Sequence, residues 1–155
     1  MKDKNFGYLG HSFQISLLNN LVEDKRFATT IIDVIDPKYF DNQYFKLIGQ
    51  MVKEYHRKYE TSPSYDALEQ IARLEVTQEM AQRNVMDMIR QIKEHESKDP
   101  LFIQEKATKF CKQQELGKAM AKVKEIMDKG DFENYERAEA YIREALQVGE
   151  KDLGT

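Results

Sequence analysis

Residues 100–129 carry the pattern of a single long helix, and this helix limits the fold more than any other feature of the chain. Asp99 and Pro100 are predicted as the N-cap and the first helical residue, because the N–H that proline lacks has no partner at that position in any case. The next residue that favours a helix end is Gly130, which is suited to the left-handed conformation. At a rise of 1.5 Å per residue, the pattern predicts a helix about 45 Å long.

Two apolar stripes follow this helix slightly out of phase, with Gly117 near the offset. The upstream stripe consists of Phe102, Ile103, Ala107 and Phe110. The downstream stripe has the i, i+4, i+7, i+11 spacing of one helix face and consists of Leu116, Met120, Val123 and Met127. After a short polar turn, a last helix is predicted from an apolar face made of Ala138, Tyr141, Ile142, Ala145 and Leu146. We therefore predict an antiparallel helical hairpin over residues 100–148.

A two-helix hairpin does not bury its apolar face without a further partner. Pairing with the same hairpin of a second copy is the simplest closed solution, so we predict a homo-oligomer, from a dimer to a hexamer. The predicted interface residues are Phe110, Leu116, Met120, Val123, Met127, Tyr141, Ile142 and Leu146.

Helix start and stop signals divide residues 12–99 into five further predicted helices. A break is predicted at Asp36, because the residue before a proline is pushed out of the helical region. The predicted helix N-caps are Ser12, Asp41, Ser62 or Ser64, and Thr77. No run alternates apolar and polar residues in the way that a strand does.

The predicted fold class is therefore all-α, with a small helical bundle followed by a long antiparallel helical hairpin. The predicted division is a flexible N-terminus over 1–11, a bundle over 12–99, the hairpin over 100–148, and the start of a linker over 149–155.

Composition restricts the class of protein. The net charge is −3, so the chain as a whole does not attract nucleic acid. The single cysteine, Cys111, excludes an intrachain disulfide and fits a reducing cytosol. The first residues lack the apolar core of a secretion signal, and no run approaches the roughly 20 apolar residues of a membrane span. We expect a soluble, cytoplasmic helical protein with no membrane partner.

We predict no catalytic residue, no cofactor and no metal ligand in this chain, which is therefore not expected to be an enzyme. Gly117 and Lys118 are the only Gly-Lys pair, but Ala119 stands where a phosphate-binding loop has serine or threonine. His56 has Glu60 one helical turn away, yet no second histidine joins them.

Three aspartates near the second helix have two interpretations. Asp33, Asp36 and Asp41 are close enough in sequence to form a carboxylate cluster, whereas Asp36 precedes a proline and Asp41 stands where a helix needs a cap. Capping is the favoured interpretation, because each role explains its residue without the others. Cys111 has no histidine at a useful helical spacing and is expected to be a small buried hydrophobic residue.

Two features leave a role in nucleic-acid binding open. The long helix is locally basic, although acidic residues are interleaved with its lysines: Lys106, Lys109, Lys112, Lys118, Lys122, Lys124 and Lys129. Residues 67–85 have the outline of a helix-turn-helix, whose second helix offers Gln78, Gln82, Arg83 and Asn84, together with Glu79. A helix-turn-helix DNA-binding regulator is therefore the alternative function.

Residues 13–71 also carry a pattern that points to a family. An opening helix runs from Leu17 to an acidic end at Glu23, and a proline is followed three residues later by phenylalanine, at Pro37 and Phe40. A long helix then follows a polar cap. A Pro-Ser turn comes next, with a leucine four residues past the serine, at residues 63, 64 and 68. Apolar and capping residues make up this pattern, which covers nearly half of the chain and includes no catalytic signature.

This pattern resembles the amino-terminal domain of DnaB-type replicative DNA helicases, in particular the phage-like branch. The resemblance implies a non-catalytic collar, in which bundles and hairpins pair between subunits above a hexameric motor ring. It also implies that the collar receives a primase or a helicase loader. The ATP-dependent motor, with its Walker lysine and DNA-binding loops, would follow the linker, so that DNA is bound mainly by that motor. We therefore expect a role in DNA replication, as part of a primosome.

Overall fold

The computed structural model describes residues 5–130 and 132–150, and within these residues every regular element is a helix. This confirms the predicted all-α class. Three short 3₁₀ helices occupy Phe6–Leu9, Pro37–Tyr39 and Phe132–Asn134. The α-helices are α1 (His11–Glu23), α2 (Lys25–Ile31), α3 (Gln43–Tyr59), α4 (Tyr65–Glu75), α5 (Glu79–Glu94), α6 (Pro100–Asp128) and α7 (Tyr135–Leu146).

Helix α1 lies at the centre of the bundle. All its residues from 13 to 22 are buried, and it packs against α2, α3, α5 and α6. A helix that is buried all round is usually apolar all round. This one also buries four polar side chains, which are Gln14, Ser16, Asn19 and Asn20.

Each of these four buried side chains has a hydrogen-bond partner, which offsets the cost of its burial. The amide of Asn19 donates to the Tyr65 hydroxyl and to the backbone carbonyl of Ile92, each at 3.0 Å, and to the carbonyl of His95 at 3.3 Å. The Gln14 side-chain oxygen accepts from the backbone N–H of Asp41 at 2.9 Å. Helix α1 is thereby bonded to the end of α5 and to the loop before α3.

A cluster of aromatic rings closes one end of the bundle. Phe6 is fully buried, and its ring centroid lies 4.6 Å from that of Phe110 and 5.2 Å from that of Phe40. The predicted flexible N-terminus is therefore wrong for residues 5–11, because Phe6 anchors them in the core. Residues 1–4 lie outside the described residues.

Helix α6 belongs to both the bundle and the hairpin. Ile103, Ala107 and Cys111 in its first half are buried in the bundle core, while its second half packs against α7. The predicted boundary at residue 100 therefore does not separate two cores. At the other end of the hairpin, Val148 is buried in the same core, whereas residues 151–155 of the predicted linker lie outside the described residues.

The ends of α6 agree with the prediction. Pro100 is its first residue, and Gly130, which follows the C-cap, has the left-handed φ of 62°. Ser64 caps α4 with its hydroxyl oxygen, which accepts from the Ala67 N–H at 3.1 Å. Ser62 is buried and donates to the carbonyl of Leu21 instead, so Ser64 is the cap.

Three other predicted caps are wrong by one or two residues. Helix α1 begins after Gly10 rather than at Ser12, and α5 is capped by Gln78 rather than Thr77. Helix α3 is capped by Asn42, whose side-chain oxygen accepts from the Tyr44 N–H at 2.8 Å and the Phe45 N–H at 3.4 Å. Asp41, the predicted cap, is exposed and lies one residue too early.

Replacing Asn42 with alanine is expected to lower the free energy of unfolding by about 1 kcal/mol, because the first turn of α3 loses its side-chain acceptor. Asp41→Ala is the matched control, since Asp41 uses its backbone N–H and not its carboxylate in the bond to Gln14. Urea denaturation followed by circular dichroism measures both. A larger loss for Asp41→Ala would contradict the assigned cap.

Candidate interaction site on the hairpin

Helix α7 runs back along the second half of α6. The ammonium of Lys122 lies 4.8 Å from the ring centroid of Tyr141, and that of Lys112 lies 3.7 Å from the carboxylate of Glu150. Residue numbers rise along one helix as they fall along the other, so the two helices are antiparallel. Closest to the bundle, Gly149 lies against Thr108, and a Cβ on Gly149 would stand 2.4 Å from the Thr108 methyl carbon.

One flank of the hairpin is charged and faces the bundle. A cavity of about 170 Å³ on this flank is lined by Val34 of the bundle, by Lys118 and Lys122 of α6, and by Tyr141 and Glu144 of α7. Tyr141 therefore belongs to this flank rather than to an outer surface.

The contact between Lys118 and Tyr39 connects the charged flank to the bundle. The Lys118 ammonium lies 6.0 Å from the Tyr39 ring centroid and 3.5 Å from the Glu115 carboxylate. Burial raises the pKa of Tyr39, although the positive charge of Lys118 acts in the opposite direction. Tyr39 thus stays neutral at physiological pH, and Lys118 covers its ring without forming an ion pair with it.

The opposite flank is apolar and faces away from the bundle. Successive residues of an α-helix are rotated by about 100°, so Ile142 and Leu146 lie on the side of α7 away from Glu144. On α6, the stripe of four apolar residues lies on that same side, away from Lys118 and Lys122. We call this surface the apolar flank, which consists of Leu116, Met120, Val123, Met127, Ile142 and Leu146.

Three side chains of the apolar flank are strongly exposed. Met120 is 57% exposed, Met127 58% and Leu146 48%. The other three are half-buried between the two helices. Isolated exposed apolar residues are normal, but these three lie on one side of the hairpin, which makes the apolar flank a candidate interaction surface.

The apolar flank contains six of the eight predicted interface residues. The structure does not place Phe110 with them, because this ring is 2% exposed and packs in the bundle against Phe6 and Tyr39. The prediction for Phe110 is therefore wrong. Tyr141 lies on the charged flank.

The candidate groups for chemistry have local structural roles. Asp36 accepts from the Lys38 N–H at 2.9 Å and caps the second 3₁₀ helix. Glu60 ends α3 with a left-handed φ of 59°, and the ring of His56 lies beside the hydroxyl of Thr29. Among the residues that the structure describes, no group of three or more His, Cys, Asp and Glu side chains is placed to hold a metal ion.

Cys111 is buried in the bundle core. Burial raises the pKa of its thiol to about 12. Since the thiolate is the nucleophilic form, this residue behaves at neutral pH as a small apolar side chain.

A polar contact of His95, at the end of α5, has no counterpart among the features predicted from the sequence. His95 stands in a run of charged residues that is typical of a solvated helix end, but its Nε2 lies 2.6 Å from the Oγ of buried Ser16. The ring is half-buried in a groove between α1 and the loop before α6. One helical turn from Ser16 the sequence has Ser12, Asn19 and Asn20, so the position of Ser16 on α1 gave no signal of this contact.

The second helix of the possible helix-turn-helix uses its polar residues within the fold. Gln82 donates to the carbonyl of Val76 at 2.9 Å, and Asn84 donates to the hydroxyl of Tyr44 at 2.9 Å. Arg83 lies 3.8 Å from Glu79 on the same helix. These side chains stabilise the turn and the packing of α5. None of these contacts supports the recognition of bases in a DNA groove by α5.

No protein-family model, curated protein or solved structure gives a significant match to the chain. Within the part of the chain that the structure describes, no helix is long and apolar enough to cross a membrane.

Proposed function

We propose that this chain is a non-catalytic oligomerisation and docking domain, the amino-terminal collar of a hexameric replicative DNA helicase of the DnaB type. The observation that carries the proposal is the apolar flank, an exposed surface on a hairpin that is fixed to the bundle at its base. The resemblance of residues 13–71 to the collar domains supports a role for that surface in a replicative helicase. The collar receives a primase or a helicase loader in the cytoplasm, and the motor that hydrolyses ATP and binds DNA follows Thr155.

The form of the hairpin supports self-association as its first role. Helix α6 is held in the bundle by its first half, and α7 is held by Val148, so the apolar flank is presented on a rigid support. Rigid apolar surfaces bind with a small entropic cost. In a symmetric dimer the flank is used twice, so that each exposed methionine contributes two contacts.

Replacing Met120 with aspartate is expected to weaken self-association of the chain at least about tenfold, because an unpaired carboxylate would be buried at both copies of the contact. Sedimentation equilibrium over a concentration series measures the change. Met80→Asp is the matched control, since Met80 on α5 is 58% exposed and Met120 is 57% exposed. A natural chain that stays monomeric at high micromolar concentration would exclude the proposed self-association.

The assignment to a helicase has a separate test. The coding sequence after Thr155 is expected to contain a phosphate-binding loop of the form GxxxxGK[ST] within about one hundred residues. Its absence, together with a self-associating chain, would leave an oligomerisation domain of another kind of protein.

A further inference from the structure

A cavity of about 310 Å³ lies between α6 and α7 near the tip of the hairpin, where α6 ends and α7 begins. Among the residues that the structure describes, the charged ones in its lining are Lys122, Glu125 and Lys129 of α6 and Arg137 of α7. Three cations and one carboxylate therefore border a single concave site.

The antiparallel register of the two helices brings the three cations together. Lys122 is level with Tyr141, so counting outward at 1.5 Å per residue places Ile126 level with Arg137. Lys129 lies two helical turns beyond Lys122, on the same side of α6. Arg137 thus projects from α7 at a height between the two lysines.

Two of these three cations have no paired carboxylate. Lys129 is neutralised within the lining, because its ammonium lies 2.8 Å from the carboxylate of Glu125. Neighbouring basic residues of the hairpin are paired in the same way: Lys118 with Glu115, Lys124 with Asp128, and Arg143 with Glu139. In the part of the chain that the structure describes, neither Lys122 nor Arg137 has a carboxylate within 4.0 Å. The cavity therefore keeps two unpaired positive charges.

The chemistry of the two unpaired cations suits a phosphate group. The planar guanidinium of arginine donates two parallel hydrogen bonds to phosphate oxygens, and a lysine ammonium adds a second positive charge. A phosphate group carries up to two negative charges at neutral pH, whereas a carboxylate carries one. The volume is at the lower end of the range for ligand sites, so the cavity suits a small anion.

The charges around the cavity favour a small ligand over a nucleic-acid strand. A single strand is bound along a basic groove that follows several successive phosphates. Residues 132–150, by contrast, contain five glutamates and two arginines, and the whole chain has a net charge of −3. The surrounding surface therefore repels an extended polyanion but leaves room for one phosphate compound in the cavity.

We propose that the cavity at the tip of the hairpin binds a small phosphate compound through Arg137 and Lys122. Lys122 belongs to the charged flank of the hairpin. The proposed site therefore goes beyond self-association through the apolar flank and does not depend on it.

Titration of the isotopically labelled chain with pyrophosphate at low ionic strength tests the site. Pyrophosphate is expected to shift the amide resonances of the residues that line the cavity, with a Kd of about 1 mM or below. Lys122→Gln and Arg137→Gln are each expected to weaken binding about tenfold, because each removes a charged hydrogen-bond donor. Both side chains are exposed, and circular dichroism verifies that the variants are folded.

Each variant has a matched control on the same helix. Lys124→Gln and Arg143→Gln remove the same charges at side chains that are ion-paired and lie outside the cavity, and they are expected to change the affinity less than about twofold. Equal weakening by all four variants would show general attraction of anions and overturn the site. No shift at about 10 mM pyrophosphate would also overturn it. Binding of a single-stranded oligonucleotide that pyrophosphate does not displace would contradict the small ligand.

Discussion

Phe110→Ala is expected to lower the free energy of unfolding by about 3–5 kcal/mol, the usual cost of removing a large buried ring that leaves a cavity. The ring is 2% exposed, and its centroid lies 4.6 Å from that of Phe6 and 5.1 Å from that of Tyr39. Its loss removes contacts between α6, the N-terminal residues and the second 3₁₀ helix at once. Chemical denaturation followed by circular dichroism measures the change.

The matched control is Phe102→Ala, on the same helix and with the same loss of atoms. Phe102 is 54% exposed, and the Lys106 ammonium lies 5.4 Å from its ring centroid. Its replacement is expected to cost less than about 1 kcal/mol. If the two variants were equally destabilised, Phe110 would not have the core position described above.

Asn19→Ala is expected to cost about 3 kcal/mol, which is large for a polar residue. Its amide donates to the Tyr65 hydroxyl and to the carbonyls of Ile92 and His95, all at 3.0–3.3 Å. Without that amide, acceptors at the buried end of α5 lose their donor, and the desolvation cost of unpaired groups is incurred in full. Amide hydrogen exchange is expected to become faster at the end of α5 and to change less in the rest of the bundle.

Asn84→Ala provides the comparison for Asn19. Its amide donates to a single acceptor, the Tyr44 hydroxyl at 2.9 Å, and the residue is half-buried. A loss of about 1 kcal/mol is expected for one such bond. Equal losses at the two positions would show that the three-way bond of Asn19 adds nothing to stability.

The long helix could be predicted because its signals are local. Pro100 and Gly130 mark its two ends, and both act through backbone geometry that no distant residue changes. The predicted cap of α3 lies one residue early because the position of this cap depends on a distant contact. Asp41 and Asn42 are both good caps, and the choice between them depends on where the preceding loop meets Gln14.

The prediction of Phe110 as an interface residue is wrong for a different reason. Helix α6 has two apolar stripes, and periodicity does not say which of them meets the bundle. Three residues of the first stripe, Ile103, Ala107 and Phe110, are buried in the bundle. Phe110 has Phe6 and Tyr39 as aromatic partners, and both lie about seventy or more residues upstream. Asn19 was hidden for a related reason, since a polar residue on a helix is read as exposed until its distant acceptors are known.

Helix α6 belongs to both the bundle and the hairpin, and this has a mechanical consequence. The helix passes from the bundle core into the hairpin without a loop, and a Cβ added to Gly117 at the crossing would stand in open space. A load applied at the tip of the hairpin is therefore carried as tension or bending along one helical rod into the aromatic cluster around Phe6. We therefore expect the bundle and the hairpin to deform together rather than to move about a hinge between them.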